Sequence, residues 1–140
     1  MSAESARDGR GYIVRAVNRS EPTPLKRLAH LGAATVHEAY GRRAPMRGMR
    51  AVVPDRQICG PAVTALGAAG DNLMIHAAVE LCRPGDVLVV ATTAPSEHGS
   101  FGDLLATQCQ IRGLAGVVLD TGSATLARSE RWAFRSGPRP

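Results

Sequence analysis

The chain is poor in aromatic side chains, which make up 4% of its 140 residues against 44% for the apolar class as a whole. Its core must therefore be built from Ala, Val, Leu and Ile. No apolar run approaches the roughly 20 residues of a membrane-spanning helix, so no membrane partner is expected. Met1 to Arg10 is polar, which excludes a signal peptide pattern of basic residues followed by an apolar stretch. Cysteine is scarce: Cys59, Cys82 and Cys109 are odd in number and share no CxxC spacing. They read as buried thiols in a reducing compartment, without a disulfide or zinc role, and the expected location is cytoplasmic.

Acidic residues are outnumbered, giving a formal net charge of +5 and a basic pI. The excess is concentrated at the end, where Arg128, Arg131, Arg135 and Arg139 face Glu130 alone. A second group, Arg42, Arg43, Arg47 and Arg50, has no interleaved aromatics on which bases could stack. It reads as a solvated loop, and no nucleic-acid partner is expected.

What is present is a regular alternation of elements. Residues 1–11 read as a disordered arm, and Tyr12 to Arg19 as a short strand or extended arm. Helices are expected over Leu25 to Leu31, closed by Gly32, and over Ala33 to Tyr40, stopped by Gly41. His37 and Glu38 of the second helix read as surface or capping residues. Ile58 to Leu66 reads as a strand. Asp71 is the expected N-cap of a helix over Asn72 to Cys82, with Met74, Ala77, Ala78 and Leu81 inward. Arg83 to Asp86 is a Pro-Gly turn and Asp86 to Ala91 a buried strand. His76 reads as a packed or solvent-tipped side chain. This order of strands and helices implies an α/β fold with a largely parallel sheet, whose ligands gather beyond the carboxyl ends of the strands.

The stretch from Gly99 to Gly122 carries the functional signal. Gly99 and Gly102 permit a tight turn close to a ligand. A helix follows over Asp103 to Ile111, with Leu104, Leu105, Cys109 and Ile111 as candidate inward positions, and Gly113 ends it. Leu114 to Leu119 reads as a strand covered on both faces. The first amides of the 103–111 helix lack intrahelical acceptors and suit an anion such as a carboxylate.

Gly102 to Thr107 (GDLLAT), then Asp120 to Gly122 (DTG), resembles the core of the 4-hydroxy-4-methyl-2-oxoglutarate / 4-carboxy-4-hydroxy-2-oxoadipate aldolases. These are class II pyruvate aldolases within the family of the regulator of ribonuclease activity A. Gly70 to Ala78 (GDNLMIHAA), Arg83 to Val90 (RPGDVLVV) and Ala34 to Ala39 (ATVHEA) extend the resemblance over about Tyr12 to Gly122. It implies a three-layer core of the swivelling β/β/α type over 12–122, and trimers or hexamers with sites between subunits. The implied reaction is cleavage of a 4-hydroxy-2-oxo acid to pyruvate and a second 2-oxo acid, with oxaloacetate decarboxylation as a side activity. A magnesium or manganese ion would be the electron sink. Gly102, Asp103, Leu104 and Leu105 would bind the pyruvate moiety, with Asp103 also the catalytic candidate.

After Gly122 the resemblance stops. The family's Arg-Asp pair, which grips substrate and reaches the metal, is replaced at Ala124 and Thr125, and residues 123–140 read as a disordered tail foreign to the family. Asp120 is a nearby carboxylate whose expected job is holding the turn. Read in a shifted frame from the Ser123 codon, G- or C-ending codons for the tail permit an Arg-Asp sequence followed by Pro-Val-Trp. The expectation is thus a fragment of an aldolase whose reading frame changes after Gly122, with impaired activity and no metal ligands of its own. A divergent or shortened member is the plainer account. Two other readings stand beside it: a non-enzymatic regulator binding a ribonuclease, and a nonfunctional fragment.

Overall fold

The computed structural model describes residues 11–43, 46, 49, 51–53, 56–94 and 98–120. Ala124 and Thr125, the rest of the tail and the arm's first ten residues lie outside this set. Within it the elements run α1 (Pro22–Leu31), α2 (Ala33–Ala39), β1 (Ala62–Gly67), α3 (Leu73–Leu81), β2 (Val87–Thr92), α4 (Asp103–Ile111) and β3 (Gly116–Leu119). The strands form one parallel sheet in the order β1-β2-β3. Two consecutive β-α-β units build it, because parallel neighbours need a crossover and a helix supplies one.

Strand periodicity sets the faces. Val63, Ala65 and Gly67 of β1 are buried while Ala62, Thr64 and Leu66 are exposed. The inward set packs with Leu88 and Val90 of β2 under Ile75, Ala78 and Val79 of α3 and Leu105, Ala106 and Cys109 of α4. Both helices therefore lie on one face. On the other face Thr64, Val89 and Val118 stand in register across the strands, and Val89 and Val118 are only half-buried. Ile58 crosses that face at its amino edge, packed against Gly116. α3 and α4 thus make one helical layer on the sheet, and α1 and α2, which pack on each other, bury no residue.

Several sequence expectations are corrected. Leu104 and Ile111 are each 81% exposed, and Ala106 takes their place inside with Leu105 and Cys109. Residues seven apart share a helix stripe, so Leu104 and Ile111 turn away together once Leu105 and Cys109 face the sheet. In α3 the buried residues are Ile75, Ala78 and Val79, rotating the stripe away from Met74, Ala77 and Leu81, which are half-buried. The strand expected from Leu114 begins at Gly116, and Val117 to Leu119 are half-buried rather than covered on both faces. Asn72 is the N-cap of α3, with Asp71 one residue earlier accepting from the Leu73 amide at 2.9 Å. Asp86 precedes β2 instead of opening it. Cys59 is exposed, its thiol 3.4 Å from the Leu25 carbonyl, while Cys82 and Cys109 are buried as expected. Residues 11–20 form neither helix nor strand.

The end of α4 follows the glycine signal closely. Gly113, at φ 70°, donates to Gln110 O at 2.9 Å and Leu114 donates to Cys109 O at 3.0 Å. This is the paired-bond termination that a left-handed residue permits after a helix. It reverses the chain into β3 and so fixes where the opposite end of α4 emerges.

Candidate functional site

In a parallel sheet all carboxyl ends lie at one edge. Here Gly67, Thr92 and Leu119 close the three strands there. Main-chain bonds knit these ends together: Thr93 N donates to Gly67 O and Asp120 N to Val90 O, each at 2.9 Å. Thr92 Oγ1 donates to Asp120 O at 3.2 Å. Asp120 is thus tied to the end of β2 through its backbone, and the residue is exposed; the rest of the turn it was expected to hold lies outside the described residues.

The loop from Thr93 leads back to this edge through buried Ser100 and Phe101 and enters α4 at Gly102. Gly102 is the N-cap, extended at φ −132° and ψ −170°, and no side chain caps the helix. Its carbonyl accepts from Ala106 N at 3.0 Å, which starts the helix. The amides of Leu104 and Leu105 fall in the first turn, where none has an acceptor within the helix. Asp103 is half-buried in that turn, and its carbonyl accepts from Thr107 Oγ1 at 2.7 Å. The side chain of Leu105 is committed to the core while that of Leu104 is exposed. What this segment offers an anion is therefore main chain. The structure brings Gly102 to Leu105 and Asp120 to the same edge.

Among the described residues no three His, Cys, Asp or Glu side chains converge closely enough to hold a metal ion. The described residues do not by themselves fit a magnesium or manganese site. His37 is half-buried on α2 with its carbonyl accepting from Arg42 N at 2.8 Å, and Glu38 is ion-paired with Arg42, also at 2.8 Å. The Glu38–Arg42 pair is exposed, in keeping with a surface reading of Glu38, whereas the Nε2 of His37 is buried, which corrects the surface reading of that residue. His98 was not singled out from the sequence, yet its ring packs against Gly70 at this same edge. Its signal was available in its position just ahead of Gly102.

The opposite edge is structural. Asp86 is 1% exposed and receives Arg19 Nη2 at 2.7 Å, Arg19 Nε at 3.0 Å and Arg83 N at 2.8 Å. Arg19 Nη2 also reaches Leu81 O at 2.8 Å. The hydrogen bond to Asp86 raises the pKa of the Arg19 guanidinium further. Nearby, burial pushes the Cys82 thiol up to about 11 and the Cys109 thiol up to about 12. Such thiols are protonated at neutral pH and chemically inert.

The described residues make a parallel α/β sheet with the amino terminus of α4 opening on its carboxyl edge, the edge at which ligands gather in sheets of this kind. Residues 33–128 match the RraA-like model, described as Aldolase/RraA, and the chain belongs to that family. It is also 36% identical over 78 residues to a Halalkalibacterium halodurans protein named "Putative 4-hydroxy-4-methyl-2-oxoglutarate aldolase". The match covers 56% of this chain and 37% of that protein's length.

Proposed function

We propose that this chain is a carbon–carbon lyase acting on 4-hydroxy-4-methyl-2-oxoglutarate or 4-carboxy-4-hydroxy-2-oxoadipate, with oxaloacetate decarboxylation as a side activity. The observation that carries the reading is the placement of Gly102 to Leu105 within the family match, at an uncapped helix terminus on the carboxyl edge. There the Leu104 and Leu105 amides donate to the carboxylate of the 2-oxo acid, and the helix dipole favours its charge. Cleavage removes the proton of the 4-hydroxyl, breaks the C3–C4 bond and leaves the electron pair as a pyruvate enolate, which is then protonated at C3. Asp103, in the same turn, is the candidate for holding that proton.

The proposed reaction takes a divalent ion, magnesium or manganese. The described residues do not gather its donors. Weak turnover is expected, because a guanidinium on the substrate and a metal-reaching carboxylate each matter by orders of magnitude. The proposal extends to a cytoplasmic protein with a three-layer core, assembled as a trimer or hexamer. The family description joins aldolases and RraA, which gives a second reading as a ribonuclease-binding regulator.

The test is calorimetric binding of pyruvate to the full chain, paired with pyruvate release from oxaloacetate in magnesium and in chelator. Pyruvate binding with slow, chelator-sensitive release is the expected result. A folded protein that neither binds nor releases pyruvate overturns the aldolase reading, and capture of an RNase E-type protein would then favour the regulator.

A further inference from the structure

β1 is an outer strand, and among the described residues its neighbour in the sheet is β2 alone. Val87 N donates to Pro61 O at 2.8 Å and Thr93 N to Gly67 O at 2.9 Å. Successive residues of a strand turn their main-chain groups to opposite sides, so Pro61, Val63, Ala65 and Gly67 face β2. The N–H and C=O groups of Ala62, Thr64 and Leu66 therefore point away from the sheet. Among the described residues none of these groups has a hydrogen-bond partner.

An edge of this kind is a template for another strand unless a charge, a proline, a bulge or a covering element blunts it. β1 carries no charge and no proline between Ala62 and Gly67, and its register with β2 runs without a bulge over all six residues. The side chains of Ala62, Thr64 and Leu66 are exposed, Leu66 to 62%. The absence of charge extends over residues 57–70, the longest uncharged run in a chain of net charge +5. Two copies that repel elsewhere can meet along this run with no like charges opposed.

The strand is also complementary to itself. Laid antiparallel about a two-fold axis at Thr64, one β1 meets another with Ala62 opposite Leu66, Thr64 opposite Thr64 and Leu66 opposite Ala62. Each is a hydrogen-bonded pair made from the outward groups. A small residue meets the large one, and Thr on Thr is a favourable cross-strand combination. Moving the axis to Val63 or Ala65 would set Leu66 against Gly60 or Ala62 against Ala68, both beyond the ends of the strand.

We infer that β1 is a self-docking edge, at which a second copy of this chain adds its own β1 antiparallel and joins the two sheets into one. Such a contact is isologous, the same patch on both molecules. It asks nothing of the aldolase reading, and either can fail alone. Within a trimeric assembly the same two-fold would join two trimers into a hexamer.

The test is sedimentation equilibrium on the full chain, with Thr64→Lys as the edge-blocking variant. Thr64 is exposed, so the variant should keep the wild-type circular dichroism and urea midpoint. Its lysines would stand directly opposite each other, raising the dissociation constant of the two-fold contact by about tenfold or more. Register is read by cross-linking in a Cys59→Ser background, which removes the exposed native thiol. The Cα atoms of a hydrogen-bonded antiparallel pair lie about 5.5 Å apart, within disulfide reach. Thr64→Cys should therefore form an intermolecular disulfide in oxidised glutathione. Leu66→Cys should not do so alone, but should when mixed with Ala62→Cys. A wild type that sediments as a monomer, or as a trimer alone, overturns the inference. So does an assembly that Thr64→Lys leaves intact, or a Leu66→Cys that cross-links as readily as Thr64→Cys. Should Thr64→Lys fail to fold, the cysteine pattern decides.

Discussion

The sheet with α3 and α4, and the pair α1 and α2, are both made of amphipathic sequence, yet they differ in what that sequence buries. Leu88, Val79 and Cys109 of the first are fully enclosed. In the second no residue is buried, and Leu28 and Leu31 remain 41% and 55% exposed. Helix signals such as Pro22 at the start of α1 and the Gly41 turn after α2 act locally and suffice to shape both helices. Burial requires a complementary surface, which the parallel sheet supplies to α3 and α4. Most helix stability comes from such packing, so the two regions should differ in free energy far more than in geometry.

The strongest test of that contrast is Leu88→Ala, which removes a fully enclosed side chain and should cost about 2–5 kcal/mol in urea unfolding. Gly60→Ala comes next. Its Cβ would meet the Gly85 carbonyl oxygen, where backbone rather than a flexible side chain must give way. A loss of about 1–3 kcal/mol is expected by the same measurement. The third is alkaline titration. Burial raises the Cys82 and Cys109 thiols from the ordinary 9.0 to about 11 and about 12. The folded state holds these protons more tightly than the unfolded chain. Their stabilisation is therefore complete below pH 9 and is lost as pH rises toward 11 and 12. Each thiol adds a slope of up to about 1.4 kcal/mol per pH unit, and Cys109→Ala should flatten the curve. A disulfide reagent at neutral pH should meanwhile label Cys59 quickly and the other two only on unfolding. The smallest effect is Leu28→Ala, within about 0.5 kcal/mol as for most surface changes. A loss comparable to that of Leu88→Ala would show that the α1–α2 pair is packed in solution.

Much of the fold was legible because its signals are short-range. Asp103 to Ile111 was read to the residue, since Gly102 and Gly113 bracket it with opposite end-signals. The alternation of strands and helices announced a parallel sheet. The helix faces were less legible, because apolar residues occur on more than one side. Leu104 and Ile111 are as apolar as Leu105, and only the seat on the sheet decides between them. The placement of Gly102 to Leu105 at the carboxyl edge followed from topology. His98 did not, since its packing partner Gly70 is 28 positions away and a glycine does not advertise what it makes room for. Arg19 was equally silent, because its bond to Asp86 spans 67 positions.

That bond has a kinetic meaning. Asp86 is a finished acceptor only after the turn has closed, with its own amide on Arg83 O at 3.1 Å and its carboxylate on Arg83 N. The segment carrying Val17 and Arg19 therefore has nothing to grip until the second strand is in place, so it docks late in folding. It should also be released first, in a partial opening that leaves the sheet intact. Protease should cut near Val14 well before the core yields.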